Sequence, residues 1–480
     1  MATSAPSTTK ALATETALAA LTAHTWSPQP EPAKLVHQLL NECLERCTFA
    51  AQLSQRMLAE TGTRMLDWID HFGVTATDSV LPDLHRVGYV ECEPIHGDTV
   101  WIHSKGMFPR VRQLKGSSRQ LAIKVDAVAD FLFAHQLTDI PIEGLPFAPL
   151  RRACIANENN IEFWIVERHG CQDFEPANWQ RPLLGEPTSH MALLPSVIAH
   201  HAESLRLRRR DFNTDAEGYA HANQLIDAAI ADLGRDRACE LFFAAEREYW
   251  QRRNRAGQIQ LARQERLGLG WANHDHHTYR SSRDSFASLI AFLEKLGFEC
   301  RERFYAGREA GWGAQVIEHH ATGVTIFADV DLSPEELAQD FSHEPLAPRN
   351  ELGTVGLWCA LHGEAFLQAG MHHLECQFDF AATRDQLKQV GIDSMPPFTD
   401  FSYLRQAFTR GEQWSVNPAR VERLRAAKKI TEQQAAQFLT QGALGSHLEI
   451  LQRDDGYKGF NQTGINEIIT ATDPRRAVHN

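Results

Sequence analysis

Four side chains in this sequence have the types and placement that metal chemistry requires. His276 lies in one strand-like stretch, the pair His372 and His373 opens another, and Glu449 stands in a short apolar strand near the C-terminus. A non-haem Fe(II) site needs two neutral imidazoles and one carboxylate on one face of the metal, with open positions for substrate and oxygen. The sequence therefore predicts a metal site built from His276, Glu449 and one of the two adjacent histidines.

The strand around His276 predicts which side chains share the metal-binding face. Successive side chains of a strand point to opposite faces. His274, Thr278 and Arg280 are therefore expected beside His276, and the odd-numbered residues are expected on the other face. Arg280 is always charged and suits carboxylate binding, although a structural ion pair is the alternative role for it.

Glu449 is the predicted carboxylate ligand, and an ion pair with an arginine is the alternative role for it. An unpaired carboxylate in an apolar strand is costly to bury, and a cation is the usual remedy. That cation is either a metal ion or a guanidinium, for which Arg280 and Arg453 are candidates. Spacing does not exclude three other carboxylates as ligands, namely Glu318, Asp329 and Glu375.

Hydrophobic periodicity predicts two similar modules that position these residues. After the strand at residues 276–280, the pattern indicates one helix and three strands, at residues 284–296, 299–305, 314–319 and 324–330. This is a βαβββ module. A second one is predicted from a strand at 371–380, a helix at 383–390 and a strand at 447–453, with residues 396–445 as an insertion without strand character. The expected fold class is α+β, with paired βαβββ modules forming a curved sheet around the metal site.

The region before these modules has a weaker pattern. It is expected to be mixed α/β, with an amphipathic helix from residue 33 and two short strands at 89–93 and 99–103. The pattern of residues 121–166 predicts a βαββ unit, which is interpreted as a degenerate copy of the βαβββ module that begins at residue 276. A chain of 480 residues is long enough for two or three domains. The predicted division is a disordered tail at 1–30, an N-terminal α+β region at 31–187, a helical connector at 188–265 and a metal-binding catalytic domain at 266–480.

Composition narrows the classes of partner. The sequence is 43% hydrophobic and 23% charged, and it contains no apolar run near the roughly 18 residues of a membrane span. A formal net charge of -13 argues against nucleic acid as a partner. Nine cysteines without a CxxC pair favour a reducing compartment, so a cytoplasmic location is expected. The first residues lack a basic segment followed by an apolar one, so no secretory signal is predicted.

Three blocks of sequence occur in an informative order over residues 266–474. The first reads Asp-His-x-x-Tyr-Arg from Asp275 to Arg280, and the second ends in His372, His373 and a leucine. The third carries His-Leu-Glu ending at Glu449, followed by a Gly-Phe pair. Together they resemble the 2-oxoadipate dioxygenase/decarboxylase family, also called hydroxyglutarate synthases, which is related to the vicinal-oxygen-chelate and glyoxalase superfamily.

The resemblance implies a ligand set and a reaction. It implies that His276, His373 and Glu449 hold Fe(2+), and that Arg280 takes part in catalysis by binding the distal carboxylate of the substrate. The implied reaction converts a 2-oxo diacid, in the namesake case 2-oxoadipate, into 2-hydroxyglutarate and CO2 with O2. The partners are then a small 2-oxo acid and O2, while the oligomeric state is not determined. His372 stands where the family usually has asparagine, which leaves the choice between His372 and His373 open.

Two other classes of function are compatible with the same residues. A glyoxalase-like isomerase or lyase would use the metal as a Lewis acid without O2, and a fourth protein ligand would favour it. A non-catalytic protein that sequesters a small molecule would have a cavity without metal.

Overall fold

The computed structural model of the chain describes residues 26–95, 98–176, 195–461 and 472–475. Most of the predicted tail at 1–30 lies outside the described residues. No helix in the described part of the chain combines the length and the apolar composition that a bilayer crossing requires.

The N-terminal region forms a seven-stranded sheet covered by helices. Its strands are β1 (Ile69–Thr75), β2 (Val90–Ile95), β3 (Asp98–Ile102), β4 (Arg110–Leu114), β5 (Arg119–Lys124), β6 (Leu150–Glu158) and β7 (Ile161–Arg168). Its helices are α1 (Pro30–Arg46), α2 (Thr48–Arg56), α3 (Val80–Arg86) and α4 (Val128–Ala134). The spatial order of the strands is β2-β3-β4-β1-β5-β7-β6.

This sheet is itself a pair of modules. The run β1-α3-β2-β3-β4 is a βαβββ unit whose first and last strands pair in parallel, and β5-α4-β6-β7 is a βαββ unit with the same parallel pairing. The two units join through antiparallel β1 and β5. The predicted βαββ unit is therefore present. The sequence pattern missed β1 and β4, because polar side chains and a glycine interrupt their apolar residues.

Four helices connect the two sheets: α5 (Pro195–Arg206), α6 (Asp215–Leu233), α7 (Arg235–Gln251) and α8 (Arg255–Glu265). Two of these helices have a side-chain N-cap. Thr214 accepts a hydrogen bond from Glu217 N at the start of α6, and Asn254 accepts one from Gly257 N at the start of α8. The helix α6 ends at Gly234, whose φ of 82° suits glycine.

The C-terminal region forms an eight-stranded curved sheet from two βαβββ modules. The first module is β8 (His274–Arg280), α9 (Phe286–Lys295), β9 (Glu299–Tyr305), β10 (Trp312–His319) and β11 (Val324–Asp331). After α10 (Thr354–His362), the second module consists of β12 (His373–Gln377), α11 (Phe380–Gln389), β13 (Thr399–Phe401), β14 (Leu404–Phe408) and a last strand, His447–Arg453.

Before that last strand the chain forms β15 (Gln413–Trp414), α12 (Pro418–Ala426), α13 (Glu432–Gln441) and β16 (Ala443–Leu444), so the last strand is β17. The sheet order is β13-β14-β17-β12-β8-β11-β10-β9. Each module pairs its first and last strands in parallel, and the modules meet at antiparallel β8 and β12. The predicted paired-module fold is confirmed. The prediction that residues 396–445 lack strands was wrong, because this range contains β13 and β14, which complete the second module.

A buried carboxylate ties the helical connector to the C-terminal sheet. Glu246 on α7 is fully buried, and its Oε1 accepts hydrogen bonds from Arg208 and Arg210, each at 2.6 Å. Its Oε2 accepts a hydrogen bond from the Tyr279 hydroxyl at 3.0 Å. Burial alone would raise the pKa of Glu246, but the two guanidinium groups hold it below its usual value. Tyr279 lies on β8, so this cluster supports the strand that carries His276.

We expect Glu246→Ala to lower the free energy of unfolding by about 3–5 kcal/mol, because it leaves two guanidinium groups buried without a carboxylate. Glu248→Ala on the same helix is the matched control. Glu248 pairs with Arg252 at the surface, and its loss should cost less than about 1 kcal/mol. Chemical denaturation of both variants measures the difference. Equal losses would show that the buried cluster contributes no more than a surface ion pair.

Candidate metal centre

Four buried side chains meet on three adjacent central strands of the C-terminal sheet. They are His276 on β8, His373 and Glu375 on β12, and Glu449 on β17. One ligand atom from each lies within 4.8 Å of the others. Parallel pairing of β12 and β17 places Glu375 opposite Glu449, and alternation along β12 puts His373 and Glu375 on the same face.

Hydrogen bonds fix the His373 and Glu449 side chains. His373 Nε2 lies 3.1 Å from Glu449 Oε2 and 2.8 Å from the Thr278 hydroxyl. Gln406 Nε2 donates to Glu449 Oε1 at 2.9 Å. Burial alone would raise the pKa of Glu449, but the hydrogen bond and charge of His373 and the charge of His276 lower it. The Glu449 carboxylate is therefore ionised and directed at both imidazoles.

A β-bulge in β8 sets the direction of His276. Two residues of β8, Asp275 and His276, lie opposite one residue of β12, Glu375. The extra residue breaks the alternation of the strand. Asp275 Oδ1 consequently lies only 3.1 Å from His276 Nδ1, while His276 Nε2 contacts a carboxylate oxygen of Glu375.

The same bulge overturns one prediction. His274 was expected on the face of His276, but it lies on the opposite side, where its ring centroid is 5.2 Å from that of His277. The strict period of two fails at the bulge, so the prediction for His274 was wrong.

Asp275 connects the two modules through a buried ion pair. Arg453, at the end of β17, donates to both carboxylate oxygens of Asp275 at 3.0 Å each, and Gln377 Nε2 donates to one of them at 2.9 Å. Burial would raise the pKa of Asp275, but Arg453 and His276 hold it well below its usual range. An ionised Asp275 accepts a hydrogen bond from the Nδ1–H of His276. The lone pair of His276 is then on Nε2, which is the atom that can coordinate a metal.

Glu375 is the member of the cluster that the sequence analysis considered only as an alternative to Glu449 as the carboxylate ligand. It is fully buried, and neither of its oxygens has a hydrogen bond among the described residues. Burial, together with the nearby carboxylates of Glu449 and Asp275, raises its pKa well above the usual value. Glu375 is thus a buried carboxyl group without a hydrogen bond, and a set of two imidazoles and two carboxyl groups fits a divalent metal ion.

The other candidates lie outside the cluster. His372 Nδ1 lies 3.0 Å from the carbonyl oxygen of Gly445, and its ring packs against Trp358. Glu318 pairs with Arg301 and Lys458. The Glu449 carboxylate contacts neither Arg280 nor Arg453 among the described residues, so the structure does not show the alternative ion pairs that the sequence left open for it.

Arg280 lines the same cavity as the cluster, and its guanidinium is nearly unpaired. The cavity has a volume of about 90 Å³. Arg280 is buried, its Nε lies 3.9 Å from Asp329 Oδ2, and neither its Nε nor its Nη1 makes a hydrogen bond among the described residues. Burial raises the pKa of Asp329 to about 8 despite the nearby arginine. The cavity thus offers a positive group opposite the metal-binding cluster.

Aromatic side chains form much of the remaining wall. They are Phe304, Trp312, Phe327, Phe398, Phe408 and Phe460. A wall of this kind excludes water and strengthens electrostatic interactions inside the cavity.

The N-terminal sheet repeats the Asp-His-Arg arrangement. A bulge in β1 lies at Asp70 and His71, the same place in the module as Asp275 and His276. Asp70 Oδ2 lies 2.7 Å from His71 Nδ1, and Arg168 at the end of β7 donates to both oxygens of Asp70, at 2.6 and 2.8 Å. Buried ion pairs thus orient one histidine in each half of the chain.

Strand register shows where the halves differ. Counted from the shared bulge and arginine, the positions of His373, Glu375 and Glu449 correspond in the N-terminal sheet to Gln120, Ala122 and Trp164. Phe174 packs on His71 there, with ring centroids 4.8 Å apart. Among the described residues, no group of three or more metal-binding side chains occurs in the N-terminal sheet.

Comparisons with known proteins give only weak likenesses. No protein-family model matches the sequence, and no curated protein matches it. A solved structure from Ralstonia eutropha JMP134, described as a glyoxalase superfamily protein, is 16% identical over 55% of this chain and 93% of its own, with a TM-score of 0.30.

Two further solved structures are similar at the same level. A variant of 4-hydroxymandelate synthase from Streptomyces coelicolor is 13% identical over 86% of this chain and 99% of its own, with a TM-score of 0.28. Methylmalonyl-CoA epimerase from Mycobacterium tuberculosis is 11% identical over 38% of this chain and 88% of its own, with a TM-score of 0.22. Such values decide nothing about substrate or reaction, and the paired-module fold rests on the strand order and register described above.

We expect His276→Ala, His373→Ala and Glu449→Ala each to lose most bound iron while the protein stays folded, because each removes one donor atom of the cluster. His372→Ala is the matched control and should retain iron, since its ring lies outside the cluster. Metal analysis of anaerobically purified variants, with circular dichroism as the folding check, provides the measurement. Iron lost in the His372 variant and retained in the His373 variant would reverse the assignment.

Proposed function

We propose that this chain is an Fe(II)-dependent oxygenase that oxidatively decarboxylates a 2-oxo diacid. The reaction that fits best is 2-oxoadipate plus O2 giving 2-hydroxyglutarate plus CO2, in which CO2 keeps the oxygen atoms of the substrate carboxylate and both atoms of O2 enter 2-hydroxyglutarate. The observation that carries the proposal is the nearly unpaired guanidinium of Arg280 in the same cavity as two imidazoles and a carboxylate. A second carboxylate on the substrate is the partner that this guanidinium lacks.

In this proposal His276, His373 and Glu449 hold the metal. Bound Fe(II) would supply coordination sites for the 2-oxo acid group and for O2. Asp275 keeps the Nδ1 proton on His276, and Gln406 holds one oxygen of Glu449, so the protein fixes the direction of both ligands before substrate arrives.

Arg280 and the aromatic wall would select the substrate. Arg280 lies four residues after His276 on one strand, about 13 Å along the backbone at roughly 3.3 Å per residue, and its long side chain shortens that gap. A short diacid can then span the cavity, with its 2-oxo acid end toward the cluster and its distal carboxylate at the guanidinium. Asp329 stands beside Arg280, and its raised pKa makes it a neutral neighbour that does not repel a carboxylate.

Glu375 favours one alternative function, a glyoxalase-like metal-dependent isomerase or lyase. If Glu375 were a fourth ligand, an octahedral ion would keep only two open sites, which a chelating substrate fills without leaving room for O2. The proposed oxygenase needs Glu375 to remain outside the coordination sphere.

The two functions differ in their use of oxygen. We expect O2 consumption and CO2 release to match one to one with 2-oxoadipate, without added reductant or 2-oxoglutarate, because the substrate supplies the electrons. An oxygen electrode and CO2 capture provide the measurement, and the Glu449→Ala variant is the inactive control. Glu375→Gln should retain its iron. Unchanged turnover under nitrogen, together with loss of metal from Glu375→Gln, would contradict the oxygenase proposal and favour the isomerase.

We expect Arg280→Lys to weaken the use of diacids specifically. The variant keeps the charge but loses the planar fork, so kcat/KM for a 2-oxo diacid should fall by an amount equivalent to about 1.5–3 kcal/mol, or roughly 10- to 150-fold. The value for a 2-oxo monoacid of equal length should hardly change. Arg425→Lys, on the exposed face of α12, is the control. An unchanged preference for the diacid would assign Arg280 a purely structural role.

A further inference from the structure

A second and larger cavity lies between the two sheets and the helical connector. Its volume is about 580 Å³, within the range of small-molecule sites in proteins. Its wall is formed by the ends of β1, β5 and β7, by one face of α7, and by the start of β8 with the end of β12. Neither the metal cluster nor Arg280 lines it.

Two cations in this wall lack a carboxylate partner. Lys124 at the end of β5 makes no ion pair or hydrogen bond with any described residue. The one polar contact of the Arg247 side chain among the described residues is with an imidazole, where its Nη1 lies 3.3 Å from His277 Nε2. Burial lowers the pKa of Lys124; the carboxylates of Asp70 and Asp126 oppose this effect, and the positive charges of Arg247 and Arg168 add to it. An anion between the two cations would remove this unfavourable interaction.

Most carboxylates in the same wall are already bound by other groups. Asp67 pairs with Arg64, and Asp70 pairs with Arg168. Three further acids also have contacts elsewhere: Glu240 with Arg237 and His169, Glu248 with Arg252, and Asp126 with the backbone N–H of Trp271. The remaining acid, Glu265, is exposed. The wall therefore holds two cations that its own carboxylates do not neutralise by contact.

The internal repeat shows that Lys124 differs from its counterpart. The position of Lys124 on β5 corresponds to that of Gln377 on β12, since each is the last residue of its strand in the same register. Gln377 donates its amide to Asp275, whereas Lys124 makes no such bond with Asp70. The lysine side chain is thus available to the cavity.

His274 adds a third polar group. The β8 bulge turns it away from the metal cluster, and it lines the large cavity. Its Nδ1 is buried and has no hydrogen-bond partner among the described residues.

We propose that this cavity binds a small organic anion through a carboxylate or phosphate group, held by Lys124 and Arg247 with His274 as an additional hydrogen-bonding partner. The site is separate from the metal centre, but Gln377 touches both, because it lines the cavity and donates to Asp275. Neither the identity of the metal nor the reaction at the metal centre enters this proposal.

Isothermal titration of the full-length protein with inorganic phosphate and with malonate, at constant ionic strength balanced with sodium chloride, tests the proposal. We expect saturable binding of at least one anion and a rise in the melting temperature on its addition. Lys124→Met and Arg247→Met should each weaken binding at least about tenfold, as expected for the loss of a charged hydrogen bond. Lys388→Met, which removes an exposed lysine on α11, should bind as the wild type does.

Two checks keep the result unambiguous. Arg280→Met identifies malonate that binds beside the metal cluster instead, since only that fraction should disappear. Without anion, Lys124→Met should melt at the same or a higher temperature, because it removes a buried charge that makes no ion pair by contact, so unfolding does not account for weaker binding. Binding of phosphate alone or malonate alone supports the site and identifies its chemistry. Absence of saturable binding in the wild type, or binding as tight as that of the wild type in both cavity variants, overturns the proposal.

Discussion

The buried ion pair between Asp275 and Arg453 is the interaction on which the arrangement of the metal centre depends. It joins the start of β8 to the end of β17 across β12, so it links the first strand of one module to the last strand of the other. It also keeps Asp275 ionised, and an ionised carboxylate accepts the hydrogen bond from His276 Nδ1 more strongly than a protonated one would. One contact thereby fixes the register of the central strands and the direction of a candidate ligand. Breaking it would leave a buried charge uncompensated.

The N-terminal half contains an equivalent ion pair, between Asp70 and Arg168, without a metal-binding cluster beside it among the described residues. Asp70, His71 and Arg168 reproduce the geometry with no other metal-binding side chain beside the histidine among the described residues. The triad is therefore compatible with a stable sheet that has no metal-binding cluster, and its presence alone does not indicate a metal. The three positions that differ between the halves, including those of His373 and Glu449, give the C-terminal sheet its donor set.

The sequence predicted the elements with strong periodicity and missed those that depend on tertiary contacts. The strands at 299–305 and 447–453 match the structure residue for residue. The three residues of β13 are too few to show a period. The role of Glu375 was within reach, since it stands two residues after His373 in a predicted strand, but its position opposite Glu449 depends on a parallel register that the sequence does not encode locally.

Glu375 also determines the electrostatics of the centre. If it is ionised, Glu375 and Glu449 together neutralise a divalent ion, and an anionic substrate then enters a site with no net attraction from the metal. If it is protonated, the centre keeps one positive charge, which attracts the 2-oxo acid group, while Arg280 attracts the distal carboxylate. Without a metal ion the surroundings favour the second state, because burial and the carboxylates of Glu449 and Asp275 raise the pKa of Glu375, whereas a bound divalent ion would favour the ionised state. The two partners of the ion pair that orients His276 thus act in opposite directions on Glu375, since Asp275 raises its pKa and Arg453 lowers it.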